Sequence, residues 1–256
     1  ASVDISDNHF KRNVQYSVDI QYRKRKSYFE ITDKYLVALG GGATCIVGCY
    51  QVNINNNRFH SNQAQFVGAT LFLYNSRYTF DYNMGSITNN SMKCNDVISR
   101  GKNYGRTIVY TGAVIKIYNY HDIKIHSLLL SHNKAAAVDI DKDYGLIQQG
   151  NLIFSQLKIE SNQGRGRDQS IVTSGHYIIK IHRCAFISNS KIGLVFYTKF
   201  TRQEQIKQKK QEMTIDLSLF KHNQGPGVLA SLVSIINIAQ CKFVGNINTK
   251  HGAIYI

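Results

Sequence analysis

Residues 179–189 read IKIHRCAFISN, and the same pattern returns six more times along the chain. Ile179 and Ile181 are followed by Phe186, seven residues after the first isoleucine, and by Asn189, ten after it. The other copies are VDISDNHFKRN (3–13), VNINNNRFHSN (52–62), IKIHSLLLSHN (123–133), LIFSQLKIESN (152–162), MTIDLSLFKHN (213–223) and INIAQCKFVGN (236–246). Recurrence at such intervals predicts a repeat architecture.

The spacing of the motifs predicts the number of coils. Successive motif asparagines are 49, 71, 29, 27, 34 and 23 residues apart. The two long gaps are close to two and three times the shortest one, which predicts three degenerate coils inside them. One would lie around FEITDKYLVALGGGATCIV (29–47) and two within 78–117. The prediction is about ten coils of roughly 23 residues in one continuous solenoid over 1–256, with excursions near 20–35, 84–106 and 199–212.

A third apolar segment follows each motif, as in IGLVFY (192–197) and GAIYI (252–256). Each coil therefore contains three short strands separated by turns, and no amphipathic helix of useful length is visible. A parallel sheet without covering helices must close on itself. The expected fold class is all-β, a single-stranded right-handed parallel β-helix. The alternative is a leucine-rich repeat, which would have a helix or convex segment where this chain has glycine-containing strands.

The recurring asparagines predict a structural ladder. Stacked coils lie about 4.8 Å apart, so equivalent side chains lie directly above one another. Asparagine tolerates a left-handed backbone in a tight turn, and its amide can donate to one coil and accept from the next. The phenylalanine or aliphatic residue three positions earlier is expected to stack inward. The predicted ladder residues are Asn13, Asn62, Asn133, Asn162, Asn189, Asn223 and Asn246.

Composition narrows the class of protein. An apolar fraction of 43% excludes a disordered chain, and no apolar run approaches the ~20 residues needed to span a bilayer.

Five scattered cysteines predict free thiols, with Cys184 and Cys241 in the same register two coils apart and Ser218 between them. A formal charge of +15 favours acidic partners: an acidic polysaccharide, an acidic protein surface, an anionic lipid surface or a nucleic acid. No nucleic-acid-binding motif is present, so nucleic acid is not the expected partner.

Three groups of residues are candidates for binding. The run DIDKDYG offers Asp139, Asp141 and Asp143 as a weak metal candidate, although three solvated acids on one outward face are the default expectation. No cofactor is predicted. Asn89 begins the sequon NNS and is a candidate for N-glycosylation. The candidate residues for an anionic partner lie in three basic segments: Arg23, Lys24, Arg25, Lys26, Arg165, Arg167, Lys207, Lys209 and Lys210.

The segment FVGNINTKHGAIYI (243–256) combines F-x-x-N with a following G-A-I strand. It resembles the repeats of chlamydial polymorphic outer-membrane proteins. It is also similar to the pectin-lyase-like β-helix superfamily and to large β-helical surface proteins of some eukaryotes. The resemblance implies an extracellular or cell-surface location. It also implies a role among adhesins, fibre components and polysaccharide-degrading enzymes.

The expected function is a non-catalytic structural or adhesive module of a surface or filament-forming protein. The alternatives are a polysaccharide lyase or hydrolase, and a non-catalytic binder of anionic glycan. By the resemblance, a lyase would need calcium-binding carboxylates with Arg165 or Arg167 as base. A hydrolase would need three aspartates near a G-H-G string, which SGHY (174–177) does not match. Neither end of the chain shows a polar cap, so we expect a segment of a longer protein or a subunit that stacks end to end.

Overall fold

The computed structural model describes residues 1–15, 42–64, 69–75, 82–97, 113–141, 149–163, 171–174, 177–190, 194–197, 212–231, 233, 235–247 and 253–255. This part of the chain consists of short strands and turns, without helices. All recorded strand pairs are parallel and in register, which confirms the expected all-β parallel solenoid.

Three long sheets run along the solenoid, and each coil contributes one strand to each of them. Sheet 1 contains the first strand of each coil: β1 (Ser2–Ser6), β5 (Gln51–Asn55), β9 (Met84–Thr88), β13 (Asp122–His126), β16 (Gly150–Ser155), β19 (Tyr177–His182), β22 (Glu212–Asp216) and β25 (Ile235–Ala239). Sheet 2 contains the second: β2 (His9–Lys11), β6 (Arg58–His60), β10 (Ser91–Lys93), β14 (Leu129–Ser131), β17 (Lys158–Glu160), β20 (Ala185–Ile187), β23 (Leu219–Lys221) and β26 (Lys242–Val244).

Sheet 3 completes each coil. Its strands are β4 (Thr44–Val47), β8 (Leu71–Tyr74), β12 (Ala113–Tyr118), β15 (Ala136–Asp141), β18 (Ile171–Ser174), β21 (Leu194–Tyr197), β24 (Val228–Ser231) and β27 (Ile254–Tyr255). A short fourth sheet follows sheet 2 in the first three coils, with strands β3 (Val14–Gln15), β7 (Gln63–Ala64) and β11 (Asp96–Val97).

The described strands form eight coils, and the expected count of about ten is wrong. β1 pairs directly with β5, so no coil lies between Asn13 and Asn62. Between Asn62 and Asn133 there is one coil, built on GSITNNSMKCN at 85–95. The motif of this coil is hard to recognise in the sequence. Gly85 stands where the other coils have their first apolar residue, and Met92 stands where they have phenylalanine, leucine or isoleucine. The long gaps therefore come from long connections and not from extra coils.

The corner between sheets 1 and 2 always has two residues, whereas the connections into and out of sheet 3 differ widely in length. The described part of the excursion expected at 84–106 is a regular piece of coil, because residues 84–97 contain β9, β10 and β11. This part of that prediction is wrong. The excursions expected near 20–35 and 199–212 lie outside the described residues apart from Glu212 at the start of β22.

The left-handed backbone lies one residue earlier than expected. None of the ladder asparagines has a positive φ; the residue before each one does. That residue turns the chain after sheet 2, and wherever it has a side chain the residue is exposed or partly exposed, whereas the next side chain points into the coil. These residues have φ between 52° and 59° and are Arg12, Ser61, Cys94, His132, Ser161, Ser188, His222 and Gly245.

The interior is filled by stacked apolar rows, one residue from each coil. The row in sheet 2 runs Phe10, Phe59, Met92, Leu130, Ile159, Phe186, Phe220 and Phe243. Phe186 and Phe243 each stack on Phe220 with ring centroids 4.8 Å apart. This separation equals the spacing of neighbouring strands, so each coil buries its apolar side chains against the next one.

Candidate functional site

The ladder asparagines form one continuous row inside the solenoid. The row contains the seven expected residues and Asn95, in the order Asn13, Asn62, Asn95, Asn133, Asn162, Asn189, Asn223 and Asn246. The six asparagines between the two ends are at most 3% exposed. Their amides are therefore occupied in holding neighbouring coils together and are not available to a ligand.

A second, shorter ladder lies at the corner between sheets 1 and 2. The backbone N–H of Asn8 donates to Oδ1 of Asn57 at 2.9 Å, and that of Asn57 donates to Oδ1 of Asn90 at 2.8 Å. In the later coils the same corner holds Cys184, Ser218 and Cys241, in the register expected from the sequence. Two coil spacings amount to about 9.6 Å, which exceeds the reach of a disulfide between the two cysteines.

A basic surface lies on the outer side of sheet 2. We define it as His9 and Lys11 of β2, Arg58 and His60 of β6, and Ser91 and Lys93 of β10, which together line a shallow groove of about 380 Å³. Residues two apart on one strand point to the same side of a sheet. The basic surface is therefore a grid of two columns and three coils on the outer side of the strands.

Strand register fixes the spacing within the basic surface. His9, Arg58 and Ser91 occupy one column, and Lys11, His60 and Lys93 occupy the other. Neighbours along a column lie about 4.8 Å apart and the columns about 6.7 Å apart. No carboxylate occupies an outward position of these three strands. The charges of Lys11, Arg58 and Lys93 therefore add to one positive field and are not neutralised by an outward carboxylate on these strands.

Further along sheet 2 the outward positions lose this character. Coil 4 presents Leu129 and Ser131, and in coil 5 Lys158 is paired with Glu160 at 2.7 Å. The basic surface is therefore confined to the first three coils.

The basic surface is not apparent as a run of consecutive basic residues, because its members are far apart in the chain. The solenoid brings together positions separated by 49 and 33 residues. A usable signal was present: the basic surface occupies the positions four and two residues before a ladder asparagine in each coil. Recognition of Asn95 as a ladder residue was needed to see it. The three basic segments expected to bind an anionic partner all lie outside the described residues.

The aspartate candidates form an ion cluster with a lysine. Nζ of Lys116 lies 2.8 Å from Oδ2 of Asp139 and also contacts Oδ2 of Asp141. Asp139 is 1% exposed, so the expectation of solvated acids is wrong for it. The lysine ammonium takes the place that a cation would need between the two carboxylates. Asp143 lies outside the described residues, among which no group of three metal-ligating side chains occurs.

Burial and charge act in opposite directions on Lys116. Burial lowers the pKa of its ammonium, but the charges of Asp139 and Asp141 outweigh that effect and raise the pKa above its ordinary value. Lys116 therefore stays protonated and neutralises both carboxylates.

One row on the outer side of sheet 1 has the residue types of a hydrolase, in the order His126, Ser155, His182 and Asp216. Nδ1 of His182 lies 2.9 Å from both carboxylate oxygens of Asp216, whereas the hydroxyl of Ser155 bonds to Nδ1 of His126 at 2.8 Å. The hydrogen bonds of these four residues include none between Ser155 and His182. The relay from acid through base to nucleophile is therefore not assembled.

The chain matches no protein-family model, no curated protein and no solved structure. Within the described residues, no helix has the length and apolar content that crossing a bilayer requires.

The candidate glycosylation site, Asn89, is an exposed corner residue with φ of 53°. Its Nδ2 lies 3.4 Å from Oδ1 of Asn55, a long hydrogen bond at the surface. The side chain is therefore accessible, and its glycosylation stays a prediction.

Proposed function

We propose that this chain is a non-catalytic adhesive scaffold, a stacked β-solenoid whose basic surface binds an anionic polysaccharide. The observation that carries the proposal is the grid formed by His9, Lys11, Arg58, His60 and Lys93 on three consecutive coils. The cations Lys11, Arg58 and Lys93, with the histidines as hydrogen-bonding neighbours, form a periodic array that suits a linear polymer carrying sulfate or carboxylate groups at regular intervals.

The structure of the coils supports a scaffold role. The ladder amides and the stacked apolar rows bind each coil to the next over the whole described length, so that the outward side chains are held in fixed register. Because the backbone is already fixed, only the side chains must be ordered when a ligand binds. The residue types needed for hydrolysis are present on sheet 1, but they lack the hydrogen bond from Ser155 to His182.

A glycan fits the basic surface better than a nucleic acid does. Proteins that bind single-stranded nucleic acid combine cations with aromatic rings on which bases stack. Phe10 and Phe59 of the same strands point into the interior, and the outward positions contain no phenylalanine, tyrosine or tryptophan. The resemblance to β-helical surface proteins supports an extracellular or cell-surface location, which we include in the proposal.

Binding to heparin tests the proposal, with neutral dextran as the control polymer. Exposed ion pairs contribute up to about 1 kcal/mol each, so the triple variant Lys11→Gln/Arg58→Gln/Lys93→Gln should weaken heparin binding about tenfold or more. The matched control Lys124→Gln/Lys180→Gln/Lys242→Gln removes the same charge from other exposed positions. Isothermal titration calorimetry at fixed ionic strength measures both variants.

Equal weakening by the two triple variants would show that net charge, and not the basic surface, holds the polymer. Tighter binding to single-stranded DNA than to heparin would contradict the choice of ligand. Polygalacturonate serves as a carboxylated probe in the same series. Release of an unsaturated product absorbing in the ultraviolet would contradict the non-catalytic part of the proposal.

A further inference from the structure

The basic surface contains two kinds of side chain that can carry positive charge. Lys11, Arg58 and Lys93, which we call the permanent cations, are charged at neutral and at acidic pH. Histidine is the side chain that ordinarily gains a positive charge as the pH falls from about 8 to about 5. When His9 and His60 become protonated, the number of cations on the basic surface rises from three to five.

Strand register places the two histidines next to the permanent cations. His60 pairs with Lys11 on one side and with Lys93 on the other, so it is the middle residue of its column. His9 is exposed and pairs with Arg58 in the other column. Neighbours in a column lie about 4.8 Å apart. An anionic group that contacts a permanent cation therefore also lies within reach of a histidine.

The hydrogen bonding of His60 is compatible with both of its charge states. Its Nδ1 lies 2.9 Å from Oγ of Ser61. A hydroxyl group can donate to a neutral imidazole or accept from a protonated one, so protonation does not break this contact. In the protonated ring Nε2 also carries a hydrogen and can donate a charge-assisted hydrogen bond to a sulfate or a carboxylate.

The charges around the histidines make protonation depend on the ligand. The residues that line the groove all belong to β2, β6 and β10 and include no carboxylate. The carboxylates nearest to these strands along the chain are Asp7, which accepts a hydrogen bond from Asn56 at 2.6 Å, and Asp96 in β11. In the free protein the permanent cations therefore repel a further positive charge, whereas a bound anion attracts it.

We propose that pH regulates this binding through His9 and His60, so that the basic surface holds the polysaccharide more tightly at about pH 5.5 than at about pH 7.5. The inference rests on the proposed function, because it concerns the same surface and the same class of ligand. The coupling is reciprocal: protonation strengthens binding of the anion, and the bound anion favours protonation. Binding should therefore take up protons from the solution.

Isothermal titration calorimetry with dextran sulfate, at fixed ionic strength, tests the regulation. The sulfate esters of this polymer stay ionised throughout the range, so a change in affinity comes from the protein. Two additional exposed ion pairs should tighten binding about tenfold between about pH 7.5 and about pH 5.5. Titrations near pH 6.5 in two buffers with different ionisation enthalpies measure the proton uptake of the parent chain directly.

The variant His9→Gln/His60→Gln keeps polar side chains at both positions but cannot gain charge there. The ratio of its affinities at the two pH values should be close to one, whatever its affinity at the higher pH. The matched control His132→Gln/His222→Gln removes two other exposed histidines and should tighten about tenfold, as the parent chain does. Circular dichroism at both pH values checks the fold of each variant, and His60→Gln alone, which should retain part of the tightening, replaces a double variant that does not fold.

A parent chain whose affinity is equal at the two pH values, or weaker at the lower one, overturns the regulation. Binding without proton uptake, or full tightening in His9→Gln/His60→Gln, also overturns it. The proposed function stands in each of these cases if Lys11→Gln/Arg58→Gln/Lys93→Gln still weakens binding at the higher pH. Failure of the parent chain to bind dextran sulfate and heparin at either pH overturns both proposals.

Discussion

Asn162→Ala in the middle of the ladder should destabilise the protein far more than the same substitution at Asn13. The side chain of Asn162 makes four hydrogen bonds. Its Nδ2 donates to the carbonyl of Leu130 and to Oδ1 of Asn189, both at 3.1 Å. Its Oδ1 accepts from the backbone N–H and the Nδ2 of Asn133, at 3.1 and 2.8 Å.

The expected cost follows from these contacts. At about 1 kcal/mol for each hydrogen bond, Asn162→Ala should lower the free energy of unfolding by about 4 kcal/mol. The site is 3% exposed, so water cannot readily replace the lost partners. The side chain of Asn13 is exposed and makes one ladder bond, from Nδ2 to Oδ1 of Asn62 at 2.9 Å. Asn13→Ala should therefore cost about 1 kcal/mol or less.

Urea unfolding followed by circular dichroism measures the loss of free energy of unfolding in both variants. The slope of this free energy against urea concentration checks that the two variants expose similar surface on unfolding. In thermal scans, the melting temperature should fall by about 8–16 °C for Asn162→Ala and by about 2–4 °C for Asn13→Ala. Equal losses at the two positions, or a loss near zero at Asn162, would refute the reasoning that the ladder is a cooperative, buried network.

Three further predictions concern buried side chains. Lys116→Met leaves the buried carboxylate of Asp139 without its ammonium partner. In urea unfolding it should lower the free energy of unfolding by about 3–5 kcal/mol. The double variant Lys116→Met/Asp139→Leu should recover most of that loss. Phe220→Ala should cost about 3–5 kcal/mol, and Phe243→Ala less because its ring is only partly buried; equal costs would contradict the stacking argument. Burial raises the pKa of the Cys184 thiol from 9.0 to about 11. As pH rises, the unfolded chain therefore loses this proton at a lower pH than the folded chain does. The free energy of unfolding should consequently fall between about pH 9 and 11. Cys184→Ala should show a shallower fall over that range, and identical pH profiles would count against the buried thiol.

The repeat motif was sufficient to predict the solenoid and its interior because its geometry is local. Eleven consecutive residues contain two strands and a corner that always has two residues. Such a unit fixes which side chains point inward wherever it occurs. Phe186, Phe220 and Phe243 could therefore be assigned to one interior row from spacing alone, as could the register of Cys184 with Cys241.

The number of coils could not be predicted in the same way, because residues are assigned to neighbouring coils through connections of variable length. The gap of 49 residues between Asn13 and Asn62 has the length of two coils, yet it spans one step of the ladder. Conversely, the coil of Asn95 was missed because Gly85 and Met92 depart from the motif, although its backbone register is regular.

The architecture of this protein is an all-β parallel solenoid with inward asparagines and stacked apolar rows. It could be predicted from the repeated motif because these features depend on contacts repeated within each short motif. The folded structure was needed to show which outward residues meet. It placed Lys11, His60 and Lys93 in one column of the basic surface and set Lys116 against Asp139. Outward side chains are not constrained by the need to fill a core. Their neighbours therefore follow from the pairing of strands across connections of unequal length, which no local pattern encodes.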